Sequence, residues 1–333
     1  MRLVFAGTPP VAARTLEHLL DHSDHEVVAV ISRPDAPVGR SKRPVPSPVA
    51  ELALERSLEL LRPARPGEPE TVARLTDLAP DACPVIAYGA LLPQRVLDIP
   101  KHGWLNVHYS LLPRWRGAAP VQRAILAGDS VTGVTVFRLV AAMDAGPVFA
   151  TTAVEIGADE TSGALLERLT PLGAELLVET LDRVAEGTAA ATEQPEEGVS
   201  VAPKLTVADA RLDWGAPAAE LARVVRACNP SPMAWTTYAG ERFRVLHARA
   251  IPEPVEIPEP VEVPEPVEGS LTHSSAANDP STSSGIVRVS RREVLVGTGH
   301  GALQLLEVQP QGKKPMPAAA WANGLRGEPG AFE

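Results

Sequence analysis

The sequence predicts an α/β fold, with a Rossmann-like, doubly wound parallel sheet followed by a smaller second domain. Residues 2–6 and 26–31 are short apolar runs on either side of a stretch with helical apolar spacing, an order typical of a strand–helix–strand unit. Residues 83–88 form a continuous, mostly apolar run, as expected of a central strand buried on both faces. A length of 333 residues is enough for two domains.

The other elements follow from the same patterns. Apolar spacing predicts helices at residues 11–20, 48–58, 70–78, 120–127, 161–185 and 216–227. Short β-rich runs predict strands at residues 104–108, 132–140, 234–238, 242–250, 285–297 and 302–308. The turn after the first strand lacks the GxGxxG fingerprint, which argues against a nicotinamide-dinucleotide site. The apolar stretch MRLVFAG is too short for a signal peptide and runs directly into a turn, so we interpret it as a strand.

Composition limits the classes of function. Hydrophobic residues make up 44% of the chain and charged residues 22%, as in ordinary soluble proteins, and no run approaches the roughly 18 apolar residues of a membrane span. The net charge of −10 argues against a nucleic-acid partner, although a local basic patch decides contact with phosphate. Cys83 and Cys228 have no histidine at metal-binding spacing, so we expect reduced thiols in a cytoplasmic protein.

An unusual insertion interrupts the C-terminal half. Residues 251–268 contain three near-copies of a PEPVE unit, and a Ser/Thr/Asn-rich stretch follows. Two prolines per unit oppose both helix and sheet, so we expect residues 252–284 to be extended and disordered, without a catalytic role. The insertion holds seven acids and no Lys or Arg, which leaves a net charge of −3 on the rest of the chain.

Three polar residues suit attack by an amine on a carbonyl carbon. Asn106 and His108 are two apart, so on a strand both side chains point to one face. Asp144 follows a predicted helix and strand, a path that can return it beside them. The amide can donate to an oxygen that becomes negative, the imidazole can relay a proton, and the carboxylate can fix the imidazole tautomer or take the amine proton. Each residue also has a structural alternative, a hydrogen-bonding strand pair or a turn.

A Pro-rich loop at residues 32–50 carries local positive charge in an acidic chain. Arg33, Arg40, Lys42 and Arg43 are accompanied by a single acid, Asp35. Such a loop cannot form a core and is expected at the surface. It is either a solvated basic loop or an arm that contacts phosphate, and the second alternative predicts strong salt dependence.

Longer motifs point to a family. NVHYSLLPRWRGAAPVQRAI, GDSVTGVT and MDAGP occur in this order within residues 106–147, and FAGTP, PDAPVGRSKRPVPSPV, VIAYGALLP, APKLT and PSPMAW occur elsewhere. Together they closely resemble the signature of the methionyl-tRNA formyltransferase family, whose members take a formyl group from 10-formyltetrahydrofolate. The resemblance covers most of the chain outside the insertion.

The resemblance implies formyl transfer to the amino group of methionyl-initiator tRNA for translation initiation, with 10-formyltetrahydrofolate as donor and no metal. On this hypothesis Asn106 holds the developing oxyanion, His108 manages the proton, and Asp144 orients His108 or deprotonates the attacking amine. The folate-binding residues would be Tyr88, Gly89, Leu92, Ser110, Leu111, Leu112 and Pro113. The tRNA-binding residues would be Arg33, Arg40, Lys42, Arg43, Lys313 and Lys314.

The resemblance also implies a domain organisation. It predicts a catalytic domain at residues 1–189, a linker at 190–201, and an OB-like, tRNA-binding β-barrel at 202–325 that the insertion interrupts, with a frayed end beyond. We expect a cytoplasmic monomer without membrane contact. Tyr109 stands where related sequences have a smaller residue, and we expect it to narrow the pocket wall. Pro147 departs from the related DTGD motif, whereas the Asp and Gly of that motif remain as Asp144 and Gly146.

Two alternatives stay open on the residues alone. The same chemistry could serve a smaller acceptor, such as glycinamide ribonucleotide, an amino-sugar nucleotide or water, but a small acceptor gives no reason for a basic loop and a basic second domain. A non-catalytic RNA-binding module built on a decayed enzyme is the other alternative, and the intact Asn106, His108 and Asp144 argue against it.

Overall fold

The computed structural model describes residues 1–37, 43–251, 287–289, 293–325 and 331–333. The predictions on Arg40, Lys42 and the insertion at 252–284 lie outside these ranges. The chain divides into two compact units: the first comprises Met1–Ala124, Asp129–Ala158 and Gly163–Lys204, and the second comprises Ile125–Gly128, Asp159–Ser162 and Leu205–Glu333. Within the described ranges, no helix has both the length and the apolar character needed to cross a bilayer.

A seven-stranded sheet forms the first unit. The strands up to residue 155 are β1 (Arg2–Gly7), β2 (Glu26–Ile31), β3 (Ala36–Pro37), β4 (Pro44–Val45), β5 (Leu60–Leu61), β6 (Cys83–Ile86), β7 (Trp104–His108), β8 (Val131–Arg138) and β9 (Val148–Glu155). The sheet order is β5-β2-β1-β6-β7-β8-β9, and β3 pairs only with β4. The first five strands of this order are parallel, whereas β8 and β9 run antiparallel to their neighbours. The predicted doubly wound parallel sheet is therefore confirmed for five strands, and β8 and β9 add an antiparallel edge that was not predicted.

Helices connect these strands at α1 (Pro10–His22), α2 (Pro48–Glu55), α3 (Pro69–Leu78), α4 (Gln94–Leu97), α5 (Pro120–Ala127) and α6 (Ser162–Ala185). The first three begin with proline, which is tolerated there because the first N–H of a helix has no intrahelical acceptor. The Ser47 hydroxyl caps α2 by accepting from the Ala50 N–H. Apolar side chains of α3 and α4 pack with those of β1, β2 and β6 to form a core beside the sheet.

The second unit is an antiparallel half-barrel with two helices. Its elements are α7 (Ala218–Cys228), β10 (Ala234–Tyr238), β11 (Glu241–Ile251), β12 (Val287–Val289), β13 (Val294–Gly297), β14 (Ala302–Pro310), β15 (Met316–Pro317) and α8 (Ala318–Asn323). The strand order is β10-β11-β14-β13-β12, with β15 attached to β14. This architecture confirms the predicted small OB-like domain. Its core joins aliphatic residues of α7 and the sheet to an aromatic cluster of Trp214, Tyr238, Phe243, Trp321 and Phe332.

Some elements escaped prediction. Strand β9 has an irregular pattern of exposure, α4 has only four residues, and the Ala-rich α8 has six. The prediction that the chain frays beyond Leu325 is wrong at its end, because Phe332 is buried and pairs with Tyr238. An isolated aromatic residue after a Gly/Pro-rich stretch carries no periodic signal, which is why the sequence did not predict this contact.

Candidate active site

Strand β7 presents the first two candidate residues. Asn106 lies opposite Phe137 of β8, and His108 lies opposite Thr135. The alternation of a strand places Asn106 and His108 on one face, as predicted. Asn106 is half-buried, whereas His108 is 5% exposed and meets the Phe137 ring edge-on at 6.3 Å between centroids. The imidazole is therefore held in an almost dry environment at the end of the strand.

Two polar partners bracket the His108 ring. Its Nε2 lies 2.8 Å from the carbonyl oxygen of Trp115, and its Nδ1 lies 3.8 Å from Oδ2 of Asp144. A carbonyl oxygen can only accept a hydrogen bond, so Nε2 carries the proton and donates. In the neutral ring, Nδ1 is then the free acceptor, and it faces the Asp144 carboxylate. We had predicted that Asp144 can fix the tautomer; in the structure the Trp115 carbonyl does so.

Burial sets the protonation state of His108. Desolvation lowers the pKa of the imidazole below its ordinary value, while the negative charge of Asp144 and the hydrogen bond to Trp115 oppose this shift. The net direction is downward, so the ring is neutral at neutral pH. A neutral ring with a free Nδ1 can accept a proton, which is the property that a general base requires.

Asp144 reaches the site from a tight loop between β8 and β9. Its side chain is 15% exposed, and its Oδ2 accepts a 2.7 Å hydrogen bond from the Gly117 N–H. The backbone of Asp144 is left-handed, with φ of +48°, and a Cβ on Gly146 would lie 1.8 Å from the Arg138 carbonyl oxygen. Any side chain at position 146 would clash with this carbonyl oxygen, so the motif requires glycine there. The structure brings together the three residues that the sequence singled out.

Asp129 anchors the segment that holds the histidine. Its carboxylate accepts from the Trp115 indole Nε1 at 2.7 Å and from Arg114 Nη2 at 2.7 and 2.9 Å. The Ser200 hydroxyl accepts from the Trp115 N–H at 2.9 Å. The Asp129 side chain is 18% exposed and fixes Trp115, the residue whose carbonyl oxygen holds His108. Asp129 and Trp115 are 14 residues apart, so no local spacing predicts this contact.

The SLLP turn lies beside the site and is held internally. Ser110 is fully buried, its hydroxyl donates to the Arg114 carbonyl at 2.6 Å, and the Thr135 hydroxyl donates to the Ser110 carbonyl at 2.7 Å. Leu111, Leu112 and Pro113 are half-buried. Ser110 thus stabilises the turn through its side chain. Leu111, Leu112 and Pro113 are the residues of the SLLP motif that remain partly exposed. Folate contacts by these four residues stay a prediction.

A cavity of about 770 Å³ opens beside the VIAYGALLP segment in the first unit. Its walls are two segments, residues 64–69 and 90–95, which end in the first turns of α3 and α4, together with Ala141. Leu92 is part of the wall, and Gly89 precedes it with an exposed backbone at φ of +82°. Tyr88 is buried and its carbonyl accepts from the Thr8 hydroxyl at 2.8 Å, which joins this segment to the FAGTP turn. The volume lies in the range of small-molecule sites.

Tyr109 does not narrow this site. Its neighbour His108 faces Asp144, so the alternation of the strand directs Tyr109 to the opposite side. There its ring is 7% exposed and lies against Gly173 of α6, with its hydroxyl near Thr15, Thr170 and Arg14. The prediction of a narrowed pocket wall is wrong, because the tyrosine fills the space between the sheet and the helices.

The predicted tRNA-binding residues fall on both units. Arg33 is half-buried, donates to the Ala64 carbonyl at 3.0 Å and lies beside Tyr88. Arg43 is exposed. Lys313 and Lys314 are exposed in the turn that follows β14. Part of the donor capacity of Arg33 is therefore used within the first unit, whereas the two lysines point to solvent.

The described residues contain no group of three or more His, Cys, Asp or Glu side chains arranged to hold a metal ion. Cys83 and Cys228 are both buried and form no disulfide bond, and burial raises the pKa of the Cys83 thiol well above its usual range. Cys83 is therefore not a reactive thiolate.

Comparison with known proteins identifies the family to which these motifs belong. Residues 1–181 match the formyl transferase family and residues 204–326 match the formyl transferase C-terminal domain. The methionyl-tRNA formyltransferase of Streptomyces avermitilis is 48% identical over 332 residues, covering 99% of both chains. That of Thermobifida fusca is 51% identical over 326 residues, covering 98% of this chain and 97% of its own.

Solved structures extend the comparison to the fold. A sugar 3N-formyl transferase, crystallised in the presence of dTDP and 5-N-formyl-THF, superposes with a TM-score of 0.63 at 12% identity. The match covers 94% of this chain and 99% of that one, and it supports the architecture alone. The family match and the full-length relatives carry the assignment: this chain belongs to the formyl transferase family, alongside the methionyl-tRNA formyltransferases.

Proposed function

We propose that this protein transfers the formyl group of 10-formyltetrahydrofolate to the amino group of methionyl-initiator tRNA. The observation that carries the chemistry is the pair formed by His108 Nδ1 and the Asp144 carboxylate, 3.8 Å apart at the end of β7. Both atoms are acceptors, so an ammonium group is the natural partner between them. The acceptor itself is supported by full-length relatives at about half identity that bear this name.

The residues of the site divide the work of an acyl transfer. The methionyl amino group arrives as an ammonium and must lose a proton before it can attack. Asp144 attracts the ammonium, and His108 accepts the proton at Nδ1 while the Trp115 carbonyl keeps Nε2 protonated. The Asn106 carboxamide donates to the carbonyl oxygen that gains negative charge, a contribution of about 3 kcal/mol for one such donor. After the attack, the bond between the formyl carbon and N10 of the folate breaks, N10 takes up the second proton of the attacking amine, and tetrahydrofolate leaves, so no covalent bond to the protein forms.

The fit of the folate donor rests on the cavity beside Leu92. 10-Formyltetrahydrofolate supplies an activated formyl group on nitrogen. The walls at residues 64–69 and 90–95 combine apolar surface with exposed backbone, as ring systems with many polar edges require. We assign Tyr88, Gly89, Leu92 and the turn at 110–113 to this donor. Leu92 lines the cavity and Gly89 is exposed, while the buried Tyr88 and Ser110 hold the backbone through their hydrogen bonds.

We assign contact with tRNA phosphates to Arg33, Arg40, Lys42 and Arg43 of the basic loop and to Lys313 and Lys314. The exposed side chains of Arg43, Lys313 and Lys314 suit contact with phosphates. Arg33 also donates a hydrogen bond to the Ala64 carbonyl within the first unit. We further propose a monomer that works in the cytoplasm, where translation is initiated. Sedimentation of the purified protein with and without tRNA would test the monomer.

One assay separates this proposal from its main alternative. The protein is incubated with formyl-labelled donor and, in parallel, with methionyl-initiator tRNA, uncharged tRNA and glycinamide ribonucleotide. We expect label to appear only in the methionyl-tRNA fraction and to become acid-stable as an amide. Label in glycinamide ribonucleotide at a comparable kcat/KM would overturn the assigned acceptor. Binding of tRNA without any transfer would favour the non-catalytic alternative.

A further inference from the structure

The last segment of the first unit contacts the loops that hold the candidate active-site residues. Residues 190–201, predicted as a linker, lie in the first unit and run alongside the segment that follows Trp115. The Arg116 N–H donates to the Ser200 carbonyl at 2.9 Å, and the Ala202 N–H donates to the Arg116 carbonyl at 2.7 Å. The Ala119 N–H then donates to the Ala202 carbonyl at 3.0 Å. This short ladder fixes the segment against the residues that hold His108 and Asp144.

Gln194 makes four hydrogen bonds with its side chain. Its Nε2 donates to the Asp144 carbonyl at 2.9 Å and to the Gly146 carbonyl at 2.8 Å. Its Oε1 accepts from Arg116 Nε at 3.0 Å and from Nη2 at 2.6 Å. A carboxamide has two N–H donors and one oxygen with two lone pairs, so every hydrogen-bonding position of Gln194 is occupied. A freely solvated linker residue would not be saturated in this way.

The loop that Gln194 holds needs support. Asp144 adopts a left-handed backbone conformation that residues other than glycine rarely take. Gly146 packs against the Arg138 carbonyl. Such a conformation persists only when its surroundings over-determine it. The two carbonyls that receive the Gln194 amide belong to the residue bearing the carboxylate and to the glycine that makes the turn. The Gln194 bonds therefore fix the point from which the carboxylate projects.

We propose that Gln194 is a positioning residue for formyl transfer. By holding the backbone of residues 144–146, it sets the separation between the Asp144 carboxylate and His108 Nδ1. This inference rests on the proposed function, and it assigns to residue 194 a role in turnover and not in substrate affinity.

Two variants dissect the four bonds. Gln194→Glu keeps an acceptor for Arg116 but removes both N–H donors to the loop. Gln194→Met has a similar length and removes all four bonds without adding charge. We expect both variants to lower kcat at least tenfold, with KM for methionyl-tRNA within twofold of wild type. Glu196→Gln is the matched control, because it exchanges the same groups at an exposed position of the same segment and should leave both constants unchanged.

The outcomes separate the inference from its alternatives. Normal turnover in Gln194→Glu together with a defect in Gln194→Met would mean that only the bond to Arg116 matters, and it would overturn the inference. A rise in KM without a fall in kcat would also overturn it. If the wild-type protein itself transfers no formyl group to methionyl-tRNA, the proposed function fails first, and the variants are then compared by spectroscopy alone.

Nitrogen-15 NMR of the histidines provides that second readout without substrate. Asp144 is the charged side chain that faces the His108 ring in the described structure, and its negative charge opposes the loss of the ring proton. If the carboxylate moves away in Gln194→Met, the His108 titration shifts to lower pH. The His108→Gln protein identifies the signal among the eight histidines. An unchanged titration in a folded Gln194→Met protein would contradict the positioning role.

Discussion

The carbonyl oxygen of Trp115 lies 2.8 Å from Nε2 of His108 and determines which nitrogen of the ring carries the proton. In many hydrolytic enzymes a carboxylate has this task. Here the carboxylate of Asp144 is on the other side, next to the unprotonated nitrogen. The arrangement leaves two acceptor atoms 3.8 Å apart, which suits the removal of a proton from an ammonium group.

The pH dependence of turnover should report this arrangement. Burial lowers the pKa of His108, so the ring loses its proton below the ordinary histidine value of about 6.5. We expect kcat/KM to rise with pH to a plateau, with the midpoint of the acid limb below that value. Asp144→Asn removes a charge that raises the pKa, so the residual activity should show a midpoint at still lower pH. A midpoint that moves upward in this variant would contradict the proposed contact.

Removal of the reacting groups should reduce turnover with the fold intact. His108→Ala and Asp144→Asn should each lower kcat at least roughly a hundredfold. Asn106→Ala should also lower it roughly a hundredfold, since one donor to a developing oxyanion is lost. Circular dichroism and thermal melting establish that each protein is folded. Near-normal turnover in the folded His108→Ala and Asp144→Asn proteins would reject the assignment of roles.

Asp129 should act through Trp115. In Asp129→Asn the acceptor for the indole and for Arg114 loses its charge, so the Trp115 segment loosens and the His108 ring is held less firmly. We expect a loss of about 1–2 kcal/mol in the free energy of unfolding and a several-fold lower kcat. Asp21→Asn is the matched control, because Asp21 also pairs with an arginine, Arg56, at two atoms on the exposed face of α1. Equal effects on kcat in the two variants would show that the Asp129 network has no special connection to the site.

The exposed lysines after β14 should contribute to tRNA affinity. Lys313→Glu should raise KM for methionyl-tRNA roughly tenfold at low salt and reduce the salt dependence of binding by about one ion. Turnover at saturating tRNA should not change. Lys101→Glu is the control, since Lys101 is exposed and precedes β7, at the end of the strand opposite to His108. A similar rise in KM in the control would indicate a general charge effect in place of a contact.

Much of the fold could be predicted because it depends on periodic burial. The run at 83–86 is buried at every position, and the helix at Pro120–Ala127 has the bounds that its apolar spacing indicated. Strand β9 could not be recognised, because its alternation between half-buried and exposed positions is weak. The C-terminal Phe332 contributes to the core through a single long-range contact, and local spacing contains no information on such contacts.

The candidate site shows the same division. Asn106 and His108 were predictable from a spacing of two on a strand, and Asp144 from its motif. The supports of these residues were not: a backbone carbonyl at Trp115, a backbone N–H at Gly117, and the side chains of Asp129 and Gln194. Nearly every residue has the same backbone N–H and C=O groups, so the sequence does not indicate which of them contact the site. Asp129 and Gln194 have surface-type side chains that become partly buried only through the fold.

The hydrogen bonds between Arg116 and residues 200–202 determine where the chain can be cut when domains are exchanged between enzymes. A catalytic module cut at Ala189 would lose Gln194, Ser200 and the backbone pairing that follows. It would then lack the contacts that hold Asp144 and Trp115 in place. A hybrid enzyme that joins this sheet to a foreign second domain therefore has to carry the native chain through Lys204. The junction between functional modules, at Lys204, lies 19 residues further along the chain than Ala185, the end of helix α6.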